Sequence, residues 1–345
     1  MNYLLESLIK IGFVVGTLIA ASTYAMLAER KMSAYIQNRL GPNRVGLWGL
    51  GQPLADVLKL MVKEDVIPNH VDKAGYLIAP AAALIPALMA FAVIPFGDTI
   101  VVRGHEVTLV ISELDIGLLY VVAMISLGVY GVVLRGWASN NTFALQTGIR
   151  ASTQMFSYGL SLGLSLIGVV LISGTLRLTD IVSLQTSTTL TYFLPGWFVF
   201  SQPVACAVFI VSVFAETNRH PFDMPQAEQE AVFGYDADYG SMKSSMLYVA
   251  EYAHIIAGSA LIVTFFFGGW HLPGLDSTDD SVGASLLKML AFAVKTAFFV
   301  FVFIWVRWTV PRLRYDQVMR LGWKYLLPIA LVNALVTGLL LTITR

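Results

Sequence analysis

Cysteine is nearly absent from this 345-residue chain, which holds a single one, Cys206, within an apolar stretch. Iron–sulfur clusters and most zinc sites need several thiolates, so we expect no such centre in this chain. Histidine is scarce as well, and of the five only His254 is clearly in the middle of an apolar run. This argues against a bis-histidine haem. We therefore expect no cofactor or metal in this chain, and any redox chemistry must use electrons from a neighbouring chain.

Charge is also scarce, since 13% of the residues are charged and 57% are hydrophobic. Apolar runs of about twenty residues recur, which is the length that crosses a bilayer as a helix. Because the runs are continuous rather than alternating, we exclude a transmembrane barrel. We predict an all-α integral membrane protein, a bundle of about eight transmembrane helices in a single membrane domain over 1–345. The predicted spans are 4–27, 75–96, 115–135, 154–174, 196–215, 245–268, 285–307 and 325–343.

Lysine and arginine concentrate on the side reached after the odd-numbered spans, where 16 of the 22 lie. Basic residues accumulate in cytoplasmic loops, so this side is predicted to be the cytoplasm. With eight spans, both termini then lie on the opposite, periplasmic side.

Residues 28–73 form the first charged segment, which we predict to be a cytoplasmic turn followed by an amphipathic helix. Gly41, Pro42 and Gly46 punctuate the sequence RLGPNRVG and are typical of a turn. A helix over Gln52 to Glu64 would lie along the membrane interface. The alternative is a simple connector with positive charges on the inner side. The apolar face of this helix carries Leu54, Val57, Leu58, Met61 and Val62, and the polar face Asp56, Lys59 and Lys63.

Residues 215–244 form the second segment, an acidic cytoplasmic loop between two apolar runs. Carboxylates crowded at a low-dielectric boundary repel one another, so the pKa of some should rise towards neutral pH. Such groups can pass protons. The alternative is a solvated loop that pairs with a partner protein's basic surface. The carboxylates are Glu216, Asp223, Glu228, Glu230, Asp236 and Asp238, against Arg219 and Lys243.

Several charges fall inside the predicted spans, where a charged side chain is costly and indicates function by default. Glu251 and Lys295 are the strongest candidates. Lys288 and Asp115 lie near span ends, where snorkelling explains them better. For His254, a satisfied core histidine is favoured over a proton relay.

At these motifs the chain resembles a known family, the quinone-channel subunit (the H subunit, or subunit 1) of respiratory complex I, the proton-pumping NADH:quinone oxidoreductase. The similarity extends over nearly the whole chain. Its motifs are AERKMSAYIQNRLGPNRVG and GLGQPLADVLKLMVKED within 28–65, AETNRHPFDMPQAEQE at 215–230, VAEY at 249–252, FGGW at 267–270, VKTAFF at 294–299 and PRLRYDQVMRLGWKYLLP at 311–328.

The resemblance implies a helix bundle in the bacterial inner membrane, seated under a peripheral arm. It would contain a narrow quinone chamber that opens to the bilayer, and quinone would be reduced in an adjoining subunit. The resemblance implies quinone as substrate, with iron–sulfur clusters and FMN in partner subunits. The implied partners are the peripheral-arm quinone-site subunits, small membrane subunits and lipids, with no nucleic acid.

Two sets of site residues are carried over from the family. The quinone chamber is implied to contain Arg30, Arg39, Asp56, Lys59, Arg219, Phe222 and Tyr252. The charged path that couples quinone reduction to proton translocation is implied to contain Glu216, Asp223, Glu228, Glu230, Glu251 and Lys295, with Arg219 and Tyr252 beside them.

The chain departs from the family pattern mainly in this path. Gly159 stands where a Glu is usual, Gln226 where an acid is usual, and Asp238 keeps its charge on a shorter stem. Neither Gly nor Gln titrates. One hypothesis is a water-mediated route through Glu228, Glu230 and Asp236, with Gly159 opening space for water. The rival hypothesis is weakened coupling with intact electron transfer.

Two other classes remain as alternatives. The first is the related ion-coupling membrane subunit of a membrane-bound hydrogenase or formate hydrogenlyase. The long match from RLGPNRVG to LADVLKL favours the quinone enzyme instead. The second is a stand-alone transporter, which would be expected to show an internal repeat with matching interrupted helices. No convincing repeat is present in the sequence.

Overall fold

A computed structural model of the chain describes residues 3–102, 105–187, 189–191, 194–223, 234–273 and 281–344. Its described part consists of twelve α-helices, two short antiparallel hairpins and three short turns of other helix types. The helices are α1 Tyr3–Ile36, α2 Gln52–Val62, α3 Lys73–Ala90, α4 Gly117–Ala138, α5 Thr142–Ser173, α6 Leu178–Ser187, α7 Phe198–Ser201, α8 Pro203–Glu216, α9 Ser241–Phe266, α10 Val282–Thr309, α11 Tyr315–Arg320 and α12 Leu327–Thr344. The hairpins pair β1 Thr99–Val102 with β2 His105–Thr108 and β3 Thr189–Thr191 with β4 Leu194–Pro195. Two 3₁₀ turns cover Leu47–Gly49 and Gly234–Asp236, and a π-helical segment covers Leu321–Leu326.

Seven helical segments in the described residues are long and apolar enough to cross a membrane. They are α1, α3, α4, α5, α9, α10 and the continuous run from α11 through α12. α8 is apolar too, but it has 14 residues. The predicted all-α integral membrane fold is confirmed.

Local sequence fixes several of the helix ends. The side chains of Asp72, Asn141 and Ser281 accept hydrogen bonds from the first-turn amides of α3, α5 and α10. These caps satisfy backbone donors that the helix leaves unpaired. α5 ends at Gly174, whose φ of 69° is the left-handed conformation that glycine adopts freely.

The helix bounds differ from the predicted spans at several places. α5 begins at Thr142 rather than at residue 154, and α3 ends at Ala90 rather than at residue 96. α1 continues past residue 27 to Ile36, because polar residues such as Glu29 extend it rather than end it. The fifth predicted span is divided into α7 and α8 at Gln202, since Pro203 lacks an amide hydrogen and starts a new helix. The last span begins earlier, at Tyr315.

A tight turn at Leu47–Gly49 follows α1, within the segment 28–73 that was predicted to form a turn and an amphipathic helix. Gly49 has a φ of +78°, and a Cβ there would lie 2.1 Å from the carbonyl oxygen of Pro42, so the turn requires glycine. α2 follows, and its residues Leu54, Leu58 and Met61 are more than half exposed. This apolar face is therefore free to contact lipid or another protein.

α9 is the centre of the bundle. In its most apolar window 83% of the residues are buried, against 17% in the α11–α12 run. α9 packs against α1, α3 and α10. A helix that is apolar on all sides is expected to be enclosed in this way. The charged residues that α9 carries are thereby placed inside the protein.

Candidate functional site

Arg219 is the centre of a buried charged cluster between α1, α8, α9 and α10. Its Nη1 lies 3.3 Å from Glu29 Oε2, and its Nε lies 2.9 Å from Glu251 Oε1 as a close charge contact. Its guanidinium carbon lies 4.5 Å from the ring centre of Tyr252. The Tyr252 hydroxyl and the Arg307 guanidinium both donate to Glu29. Two cations and two carboxylates thus share one site.

Arg219 is 4% exposed and Glu29 6% exposed, so both are almost fully removed from water. Burying an ion is costly unless an opposite charge compensates it. Burial opposes the charged form of Arg219, but Glu251, Tyr252 and Glu29 outweigh it and raise the pKa of Arg219. Arg219 is therefore a fixed cation that links α1 to α9.

Glu216, at the end of α8, is buried as well, but no ion pair among the described residues compensates its charge. It is 5% exposed, and its Oε2 has no hydrogen-bond partner among the described residues. A Cβ added at Gly159 of α5 would lie 3.6 Å from this oxygen. Gly159, where the resemblance led us to expect a Glu, thus lies next to the carboxyl group of Glu216.

Gln154 of α5 fixes the start of the acidic loop. Its Nε2 lies 3.0 Å from the carbonyl oxygens of Ala215 and Phe222 and 3.1 Å from Asn218 Oδ1. Phe222 is buried and packs edge-on against Tyr158. The loop therefore leaves α8 in a defined conformation.

Asp223 follows directly and is 9% exposed. Burial and, secondly, the nearby carboxylate of Glu251 raise its pKa to about 7, although Arg307 and Arg312 oppose the rise. The nearest ion pair is loose, with Arg312 Nη2 3.8 Å from Asp223 Oδ2. Asp223 can therefore gain and lose a proton near neutral pH, as expected for this loop.

A second buried ionic pair joins α4 to the turn that precedes α9. Arg135 of α4 donates to Asp236 at 2.7 Å, and its guanidinium carbon lies 4.6 Å from the centre of the Tyr235 ring. Asp236 and Tyr235 belong to the turn that precedes α9. Burial raises the pKa of Tyr235, so this phenol stays neutral.

A cavity of about 470 Å³ joins these groups. Its wall combines apolar residues with a dense set of charged or titratable ones. The latter are Arg135, Glu216, Arg219, Asp223, Tyr235, Asp236, Tyr239, Tyr248, Glu251, Tyr252, His254 and Arg307.

Three of the seven residues implied for the quinone chamber, Arg30, Asp56 and Lys59, lie around a second, mainly apolar cavity of about 270 Å³ between α1, α2 and α9. Arg30 forms an ion pair with Asp56, and Gln52 donates to the other oxygen of Asp56 at 2.9 Å. Lys59 is also on its wall. Arg39 lies outside it and donates to Gln37 at 2.7 Å. Arg219 and Tyr252 lie on the wall of the larger cavity instead, and Phe222 packs against Tyr158.

Lys295 lies at a separate location. Its Nζ donates to the carbonyl oxygens of Phe267, Gly269 and His271 at 2.8, 3.1 and 2.7 Å, and lies 4.5 Å from the centre of a Trp197 ring. Phe267, one of these partners, lies sixteen positions after Glu251, which corresponds to roughly 24 Å along a helix. Lys295 is therefore far from the ionic cluster. The structure does not bring Lys295 to the large cavity, and its role in the proton path stays a prediction.

Glu228 and Glu230, together with Gln226, lie outside the described residues. Sequence reasoning missed Glu29 and Arg307 as members of the central cluster. Both lie in otherwise apolar helices, which is the signal that singled out Glu251. Their positions near predicted span ends are also those of ordinary snorkelling charges, and only the packing of distant segments reveals that they are buried partners.

Comparison with known proteins gives a consistent result. The family profile described as NADH dehydrogenase matches residues 9–338. An H subunit (number 1) of the NADH-quinone oxidoreductase of Geobacter metallireducens is 47% identical, over 97% of this chain and 96% of the relative. The H subunit of the NADH-quinone oxidoreductase of Flavobacterium psychrophilum is 43% identical over 99% of each chain. The corresponding protein of Salinibacter ruber is 44% identical over 94% of this chain and 93% of the relative.

Proposed function

This chain belongs to the NADH dehydrogenase family as an H subunit of NADH-quinone oxidoreductase, and from that premise we propose that it forms the quinone-access chamber and part of the proton-coupling path of complex I. The coupling half of the proposal rests on one observation, the cavity whose wall carries Arg219 and Glu251 beside Glu216 and Asp223. Arg219 also pairs with Glu29.

The chamber half of the proposal rests on the small cavity at α1, α2 and α9. An apolar wall suits a lipid-like tail, and a few polar groups suit a quinone head. Arg30, Asp56 and Lys59 supply those groups. The exposed apolar face of α2 would let a hydrophobic substrate approach from the bilayer.

Within the coupling path, Glu216 and Asp223 are the groups suited to move protons, since neither is held by a close cation. Arg219 and Arg307 are suited to hold charge in place. Glu228 and Glu230 would extend the path from the acidic loop. A change in charge on one member alters the electrostatic energy of the others strongly, because the site excludes bulk water.

We further propose that the chain lies in the bacterial inner membrane, with the basic and acidic loops cytoplasmic and both termini periplasmic. The distribution of Lys and Arg supports this orientation. Partner subunits would hold the FMN and the iron–sulfur clusters, since the electrons must come from outside this chain.

The test uses the complex that co-purifies with a tagged copy of this chain in mild detergent. We expect NADH-dependent quinone reduction that is sensitive to quinone-site inhibitors. Asp56→Asn should impair quinone reduction and spare electron transfer from NADH to an artificial acceptor, because the Arg30 pair loses its anion. Glu64→Gln, an exposed carboxylate just beyond α2, is the matched control and should behave as wild type.

Glu216→Gln tests the coupling half separately, and we expect it to lower quinone-linked turnover and proton translocation. Wild-type rates in this variant would contradict the coupling role. A complex that lacks quinone reduction and evolves hydrogen would overturn the whole proposal in favour of the hydrogenase relatives. Each variant needs an assembly check, since removing one partner of a buried ion pair destabilises a protein.

A further inference from the structure

His254 lies on the wall of the large cavity, on the same helix as Glu251 and three residues further along. Residues three apart on a helix share a face. His254 is thus the next titratable side chain of α9 beyond the ionic cluster, towards the middle of the span. It was expected to be a satisfied core histidine, and its contacts satisfy one ring nitrogen.

The Nε2 atom of His254 lies 3.3 Å from the carbonyl oxygen of Ala83 in α3. A carbonyl can only accept a hydrogen bond, so Nε2 carries the proton. In a neutral imidazole the other nitrogen is then unprotonated and can accept one. Among the described residues, Nδ1 has no hydrogen-bond partner.

The imidazole packs against α4 at a position where that helix has a glycine, Gly128. A Cβ added at Gly128 of α4 would lie 2.9 Å from His254 Cε1, closer than packed atoms approach. Glycine at this position therefore makes room for the ring beside the cavity. The Ala83 carbonyl holds the ring at one nitrogen and leaves the other for exchange.

The charged groups around the ring come from three neighbouring elements and its own helix. α4 contributes Arg135, which Asp236 of the preceding turn neutralises. α8 contributes Glu216, and α9 itself contributes Glu251. Burial and the Arg135 cation both disfavour an imidazolium, so the ring is neutral at rest and would hold a second proton only transiently.

We propose that His254 is a proton-carrying residue of this cavity. Nδ1 accepts a proton from a carboxyl group of the cluster, directly or through water in the cavity, while Nε2–H stays bonded to Ala83. The imidazolium returns to its neutral form when Nδ1 passes the proton to an unprotonated carboxylate on the wall of the same cavity, directly or through water. No electron is transferred in this step. The inference rests on the proposed coupling function and supplies a titratable group to a cavity that has Gly159 in place of a carboxyl.

The test compares wild type with His254→Gln in the complex reconstituted into vesicles. Glutamine can still donate to the Ala83 carbonyl, but it cannot titrate. We expect His254→Gln to retain NADH:quinone electron transfer, measured with an uncoupler present, and to lose proton translocation per NADH oxidised. Gly128→Ala, which displaces the ring without changing charge, should lower the same ratio.

The two proposals fail in distinguishable ways. A wild-type proton ratio in His254→Gln overturns the role of His254 and leaves the proposed function intact. A parallel loss of electron transfer and translocation also overturns it, because that is the result of a purely structural role. A wild-type complex that does not reduce quinone overturns the proposed function and this inference with it.

Discussion

Arg219 and Glu216 are three positions apart, yet burial has opposite consequences for them. Arg219 meets two carboxylates and an aromatic ring, so its charge is stabilised in place. Glu216 meets the open position at Gly159 and has an unpartnered oxygen. A compensated charge holds helices together, whereas an uncompensated one is ready to exchange a proton.

At the residue scale, Asp223 makes the stability of the chain depend on pH. Its native pKa of about 7 is above the ordinary value of 3.8, so the folded state binds more protons than the unfolded state between those values. The contribution of Asp223 to stability is therefore greatest at low pH and falls as pH rises from about 4 to 7. We expect Asp223→Asn to lessen the loss of thermal stability between pH 5 and pH 8. An unchanged loss in the purified complex would contradict this.

Lys295 gives a second prediction at this scale, because its ammonium group satisfies three carbonyl oxygens just after α9. Lys295→Met removes all three bonds and should destabilise the protein by about 2 kcal/mol, the order of magnitude for hydrogen bonds to a charged group. Thermal unfolding of the complex in detergent measures this. Lys295→Arg keeps a cationic donor and should lose less. Equal unfolding temperatures for Lys295→Met and wild type would show that these hydrogen bonds contribute little to stability.

At the element scale, α5 is the helix that carries Gly159, the departure expected from the family pattern. Gln154 holds the acidic loop, and Gly159, about one and a half turns later, leaves space against Glu216. The same helix packs along α4, α8 and α12. α5 thus both positions the acidic loop, through Gln154, and leaves space beside Glu216, at Gly159.

Gly159→Glu is the prediction that belongs to this element. Apart from its own helix backbone, the only described atom within 4 Å of a Cβ there is Glu216 Oε2, so a Cβ fits and the new carboxyl would lie near that of Glu216. If the water-mediated route operates, we expect quinone reduction to persist and proton translocation in vesicles to stay unchanged or improve. Gly159→Gln fills the same volume without a titrating group and is the control. A collapse of quinone reduction in both variants would mean that the space itself is required.

At the scale of the whole molecule, the site depends on segments that are far apart in the chain. Glu29 and Arg307 are 278 positions apart and still form an ion pair. Helices α1, α9 and α10 each contribute one or more residues to the cluster, and Arg219 comes from the segment that follows α8. The outer surfaces are apolar, as the exposed side chains of α12 indicate. Lipid or partner subunits would cover such surfaces.

The sequence alone determined the membrane character, the approximate spans, the amphipathic helix and the resemblance to the complex I subunit. These features follow from the length and continuity of the apolar runs, from helix periodicity and from long motifs. Each of these is a local property of the chain. Glu251 was also found locally, since a charge in mid-span is conspicuous.

Only the tertiary structure decided which charges meet. Glu29, Arg135 and Arg307 lie where snorkelling would explain them adequately. The carbonyl partners of Lys295 are likewise visible only in the folded chain, and its role in the proton path stays a prediction. Whether a buried charge is held, exchanges protons or closes a turn depends on its neighbours within a few ångströms. Those neighbours come from distant parts of the chain, because the free energy of a buried ion is determined by packing and not by its own segment.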